Sequence, residues 1–194
     1  MEFEVDLPEH LQTTALLARR ERARVEAKYI APWIKPSAHG INNVLDIGCG
    51  AAITSIMLAR ELKFDRLLLM DGQQGLYTNG YKLDTKAWED TNRARAVAEL
   101  NLNSTAWSIV EPDQEFRGSF TFIMSLISWC HHYPVEVYLP MVKASLIPGG
   151  RLVVDIRKTA RVENGLTKLL NSGFIRLAIL DETKKCTRYV LERN

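Results

Sequence analysis

Between Asn43 and Ala51 the chain runs through a short apolar stretch, turns at Gly48-Cys49-Gly50, and enters a segment whose apolar residues recur at helical spacing. No other feature constrains the fold as much. A strand that feeds a helix through a glycine turn opens a βα unit, and open α/β sheets bind their ligands at such turns, outside the carboxyl ends of the strands. Glycine suits that place because a missing Cβ lets the backbone approach a ligand closely and adopt unusual φ angles.

The remainder of the chain repeats the alternation. Pro8 to about Ile34 is rich in Ala, Leu, Glu and Arg, lacks glycine, and reads as a helix broken before Pro32. Ile53, Ile56, Met57, Ala59 and Leu62 mark a helix over Ala51 to Lys63, followed by an apolar strand over Arg66 to Met70 that ends at Asp71. Gly72 to Leu83 reads as a loop and Asp84 to Leu100 as a helix. Trp107 to Val110 and Phe120 to Leu126 read as the third and fourth strands, and Pro134 to Leu146 as a helix. A turn at Ile147-Pro148-Gly149-Gly150 leads into a fifth strand, Arg151 to Ile156. A helix near Val162 to Asn171 precedes a terminal hairpin, Phe174 to Leu180 and Thr187 to Leu191, flanking Asp181 to Lys185. Strands alternating with helices predict a parallel sheet covered on both faces.

The glycine turn admits two nucleotide-type ligands. A dinucleotide loop wants Gly-x-Gly-x-x-Gly, yet Ile53 stands where the third glycine belongs, and Asp46 just before the turn repels a pyrophosphate. A P-loop is excluded because no Gly-Lys-Ser/Thr follows. Asp46 suits a cationic ligand instead. Asp71 ends the next strand, roughly twenty residues beyond the turn, where such folds place a carboxylate that accepts hydrogen bonds from ribose hydroxyls. A tight turn with no ligand is the alternative reading.

With these residues in view, the chain resembles the class I S-adenosylmethionine (SAM)-dependent methyltransferases. Asp46-Ile-Gly48-Cys-Gly50 matches the family's first motif and Asp71 its ribose acid, while Leu146-Ile-Pro148-Gly149-Gly150 matches the turn before the fifth strand. The resemblance covers about Asn43 to Asn194. It implies a doubly wound, mostly parallel seven-stranded sheet with a C-terminal antiparallel hairpin, the Rossmann-like methyltransferase fold. It also implies that residues 1–40 form a helical extension covering the site of a methyltransferase domain at 41–194. By the same resemblance SAM is the cofactor, held by Asp46, Gly48, Cys49, Gly50, Asp71 and Gly72, with Glu111 and Asp113 near the adenine and Ser125 after the fourth strand.

Ser125 to Pro134 would face the methyl group. It lacks the Asp/Asn-Pro-Pro-Tyr/Phe motif of methyltransferases acting on nucleobase amino groups, and it lacks the carboxylates of a magnesium site, so no metal is expected. Its two histidines fit an oxygen acceptor, because placement lowers such a barrier by roughly 7–11 kcal/mol and a histidine base adds about 10²–10⁴-fold near neutral pH. His131 is the first candidate for that base and His132 the second, acting through loop position. Tyr77, Tyr81 and Trp88 in the long loop after Asp71 would stack on a ring or sugar.

A small polar acceptor, such as a sugar or nucleotide-linked sugar, is the expected partner. A net charge of +2 gives no support to a dedicated nucleic-acid binder. Two readings remain open: a nucleic-acid methyltransferase that uses the Arg19, Arg20, Arg22 and Arg24 cluster on phosphates, and a catalytically silent cofactor-binding protein. Cys49, Cys130 and Cys186 are too widely spaced for a zinc or redox pair, the acidic start is no signal peptide, and no run approaches the ~20 apolar residues of a membrane span. A cytoplasmic location is therefore expected.

Overall fold

The computed structural model describes residues 2–36, 40, 42–72, 91–114, 118–158 and 164–194. The described strands are β1 (Asn43–Ile47), β2 (Arg66–Met70), β3 (Ala106–Val110), β4 (Phe120–Ser125), β5 (Ser128–Tyr133), β6 (Leu146–Arg157), β7 (Phe174–Glu182) and β8 (Cys186–Arg193). The α-helices are α1 (Thr14–Ile30), α2 (Ile53–Leu62), α3 (Thr91–Asn101), α4 (Val135–Ser145) and α5 (Gly165–Asn171). A seven-stranded sheet is ordered β3-β2-β1-β4-β6-β8-β7. Its pairs are parallel from β3 through β6, whereas β8 is antiparallel to both β6 and β7. The chain thus winds outward from β1 to β3, crosses back to β4, and leaves its switch point between β1 and β4. Both strands end there, one at the glycine turn and the other at Ser125.

Two cores explain why the central strands read as unbroken apolar runs. Val44, Leu67, Leu69, Phe122 and Met124 pack under α1, α2 and α3. Leu45, Leu68, Met70 and Ile123 point to the other face, against α4 and α5 residues such as Val142 and Leu169. A parallel sheet buried on both faces has no polar side to alternate with.

Three boundaries depart from expectation. Thr13 caps α1 by accepting the Leu16 N–H, so the helix starts at Thr14, and Glu9–Leu11 before it form a 3₁₀ turn. β6 begins at Leu146, five residues early, because Leu146 already pairs with Phe120 and the Pro-Gly-Gly stretch stays in the strand. Ser128–Tyr133, expected as loop, is extended as β5 outside the seven-stranded sheet.

The acidic N-terminus is also ordered. Phe3, Val5 and Leu7 alternate into the α1–α3 core while Glu4 and Asp6 face out. The Asn101 amide fastens this strap by accepting from the Asp6 N–H at 2.9 Å and donating to the Asp6 carbonyl at 2.8 Å. The loop with Tyr77, Tyr81 and Trp88 and the first part of the Asp84–Leu100 helix lie at 73–90, outside the described residues. No helix among the described residues is long and apolar enough to cross a membrane.

Candidate cofactor and acceptor cavity

The carboxyl ends of β1, β2 and β4 open into a cavity of about 600 Å³, roofed by α1 and floored by the glycine turn. The turn is built from main chain. The Gly48 and Cys49 N–H groups both donate to the Met70 carbonyl, at 2.7 and 3.1 Å, which holds the end of β1 against β2. Gly48 adopts φ +72°, and a Cβ there would lie 1.8 Å from Ser128 Oγ. Only glycine satisfies both that conformation and the close approach of β5.

Asp71 is locked to the same turn. Its carboxylate accepts the Gly50 N–H at 2.6 Å and the Gly72 N–H at 2.8 Å, bridging the ends of β1 and β2. Two N–H donors hold the carboxylate in place on the cavity wall. After the turn, Ala52 caps α2 at φ +56° with no side-chain cap, and Ile53 and Thr54 at the start of the helix line the cavity.

Asp46 is 4% exposed and contributes to the cavity wall. Burial pushes its carboxyl up to about 7, with Asp71 adding to the rise and Ser55 and Arg19 opposing it. A buried carboxylate with so little compensation favours a cation beside it. Across the cavity, α1 presents Arg19 and Arg22, and α3 presents Arg93.

A buried ionic network braces this wall. Arg188 on β8 donates from Nε and Nη2 to the two carboxylate oxygens of Asp155 on β6, at 2.7 and 2.8 Å, and from Nη2 to Glu26 on α1 at 3.4 Å. Glu26 accepts in turn from Arg19 at 2.8 Å and from the Thr54 hydroxyl at 3.0 Å. Charge from Arg19 and Arg188 holds the Glu26 carboxyl below its ordinary value in spite of burial. Asp155 also accepts the N–H of Ile127 at 3.1 Å. Ile127 has φ +55°, rare for a β-branched residue, and reaches the cavity. The network therefore pins the loop after β4 in a strained shape.

The residues expected at the site divide. Asp46, Gly48, Cys49, Gly50, Asp71, Gly72 and His132 line the cavity, whereas Glu111, Asp113, Ser125 and His131 do not. Ser125 is fully buried, and its hydroxyl donates to the Ile47 carbonyl at 2.8 Å and accepts the Trp129 N–H at 2.9 Å, stitching β1 to β5. Glu111 closes a small turn with Gln114, and Pro112 between the two acids is the residue that touches the cavity. The two histidines of β5 differ in exposure: His131 is buried, 8% exposed, while His132 lines the cavity, their ring centroids 4.6 Å apart and edge to face. Burial, with Arg157 and Lys185 nearby, lowers the His131 imidazole below its ordinary value, against Asp155. Sequence reasoning missed Tyr138, Ile127 and the cavity-facing role of Arg22. The helical spacing of Ala15, Arg19 and Arg22 was the available signal for the last.

No family model and no curated protein matches the sequence. Solved structures do match the fold. A methyltransferase from Pyrococcus furiosus shares 13% identity over 97% of this chain and 88% of its own, with a TM-score of 0.60. Magnesium protoporphyrin IX methyltransferase from Synechocystis PCC 6803, with bound SAM, shares 15% over 99% and 88%, with a TM-score of 0.59. SAM-bound CalS10, an amino pentose methyltransferase from Micromonospora echinaspora, shares 14% over 96% and 100%, with a TM-score of 0.58. The chain has the doubly wound fold of the class I SAM-dependent methyltransferases.

Proposed function

We propose that the chain is a SAM-dependent methyltransferase that moves the methyl group to a hydroxyl oxygen of a small polar acceptor. The observation that carries the reading is one cavity that holds two carboxylates of different kinds at the switch point. Asp71 is pre-set by two N–H donors and fits a pair of ribose hydroxyls. Asp46 is buried, raised to about 7 and short of compensation, and fits the cationic methionine end. The uncapped start of α2 fits that end's carboxylate. Similar structures are named for porphyrin, amino pentose and ribosomal protein L11 substrates, so the acceptor is read from this cavity itself.

When bound, SAM supplies an electrophilic methyl group whose carbon–sulfur bond breaks with the electron pair left on sulfur. The protein's share is placement and one proton. His132 sits on the cavity wall beside Ile127, Tyr133 and Tyr138, where an imidazole nitrogen takes the proton of an attacking hydroxyl. Ile127, held by Asp155, bounds the space left to the acceptor. Burial raises the phenols of Tyr133 and Tyr138 above their ordinary value, so both act as neutral hydrogen-bonding walls.

Incubation with methyl-labelled SAM and fractionated host metabolites, then nucleic acid, tests the reading. Label is expected in a hydroxyl-bearing small molecule. Label in nucleic acid overturns the acceptor class, and SAM binding with no labelled product overturns the enzyme. With the acceptor found, His132→Ala is expected to lower turnover about 10²-fold at constant SAM affinity, and His131→Ala to change it less than about threefold. Equal losses in the two variants would remove the base from His132.

A further inference from the structure

The cationic side chains on the cavity wall are not equivalent. Three arginines line it, Arg19, Arg22 and Arg93. Arg19 is committed to Glu26 at 2.8 Å. The rest of the α1 cluster turns away from the cavity and is paired, Arg24 with Glu4 and Glu21 at 2.8 and 2.7 Å, and Arg20 beside Glu21 at 3.6 Å. Arg22 differs from its neighbours: it lines the cavity, is exposed, and makes no ion pair with any described residue. A planar guanidinium on a cavity wall recognises carboxylate and phosphate oxygens through paired N–H donors. A cofactor that brings a net positive charge adds to the pull on an anion at this wall.

From this arrangement we infer that the acceptor carries an oxyanion, a phosphate or carboxylate group, which Arg22 receives at the α1 side of the cavity. The inference rests on the methyltransferase reading and deepens it. The anionic group lies apart from the attacking hydroxyl and takes no part in the bond changes. Its work is to orient that hydroxyl toward His132 and to draw the acceptor to a cavity already charged by the cofactor. After transfer, the cofactor product has lost its sulfonium charge, so the attraction falls as the product leaves. The pairing of Arg20 and Arg24 argues against an extended phosphate track along α1 and for a compact molecule inside the cavity.

Calorimetric titration of pyrophosphate and, separately, malonate tests this, with the full chain alone and with the chain saturated in S-adenosylhomocysteine. At least one oxyanion is expected to bind in both states. Arg22→Glu should weaken that binding by at least about tenfold, and Arg22→Lys by an intermediate factor, because the lysine keeps the charge but loses the paired donors. The anion that responds identifies the group, phosphate or carboxylate. S-adenosylhomocysteine affinity is expected to be the same in wild type and Arg22→Glu, so its failure to bind strikes the cofactor reading alone. Two results would overturn the inference: no binding of either anion, or binding that Arg22→Glu leaves unchanged. A short single-stranded oligonucleotide that binds more tightly than either anion, with the same dependence on Arg22, would overturn the compact acceptor in favour of nucleic acid.

Discussion

Replacing Asp46 with asparagine is expected to stabilise the ligand-free protein and to cripple cofactor binding at the same time. The carboxyl is raised from 3.8 to about 7, so between those values the folded protein keeps a proton that the unfolded chain has lost. Stability therefore falls as pH rises through that window, by about 1.4 kcal/mol per unit, and is level on either side of it. Near pH 8 the buried charge costs on the order of 4 kcal/mol, and asparagine avoids it. Thermal melts at pH 8 should show the variant higher by roughly 8–16 °C, with the slope between pH 4 and 7 reduced. SAM affinity should drop roughly 10–100-fold, since a charge-assisted contact contributes about 1.5–3 kcal/mol. A variant that melts lower than wild type at pH 8 and binds SAM equally well would remove both roles from Asp46.

The second large effect is expected at Arg188. Its guanidinium is 6% exposed and joins α1, β6 and β8 through Glu26 and Asp155. Removing one partner of such a network leaves uncompensated buried charge, at a cost of roughly 3–5 kcal/mol. Arg188→Ala should lower the melting midpoint by roughly 6–20 °C at neutral pH. The double variant Arg188→Met, Asp155→Leu should recover part of that loss, because no orphaned carboxylate remains at β6. Its turnover should stay low, because Asp155 also holds the Ile127 N–H and with it the shape of the acceptor space. An Arg188→Ala midpoint within about 2 °C of wild type would show that the network carries no stability.

What could be seen in the sequence, and what could not, follows from the range of the interactions involved. β1 and β2 were readable to the residue, because a strand buried on both faces is a run of apolar residues with sharp polar ends. The glycine turn and Asp71 were readable because close backbone approach and a strand-end carboxylate leave marks at fixed spacing. β5 was not, since Ser-Trp-Cys-His-His-Tyr is neither an apolar run nor a strict alternation, and the segment is shaped by positive φ at Ile127 and Cys130. Choosing between His131 and His132 needed the local shape of that segment, which buries one ring and leaves its neighbour on the cavity wall. The N-terminal strap was legible but overlooked: Phe3, Val5 and Leu7 alternate with acids, a half-buried extended pattern. Nothing local announced the bond between Glu26 and Arg188, which are 162 residues apart. The glutamates interleaved with the α1 arginines stand in the sequence, but which arginine each one pairs with needed the fold.

Asp71 offers the most direct test of the cofactor site. Its carboxylate accepts from Gly50 and Gly72, and the same group is assigned to the ribose. Wild-type protein titrated calorimetrically with SAM should bind one equivalent at roughly micromolar affinity, and Asp71→Ala should bind at least about tenfold more weakly while retaining its fold by circular dichroism. A folded Asp71→Ala protein with wild-type affinity would contradict the ribose assignment. A wild-type protein that ignores SAM and saturates with a dinucleotide instead would contradict the methyltransferase reading itself.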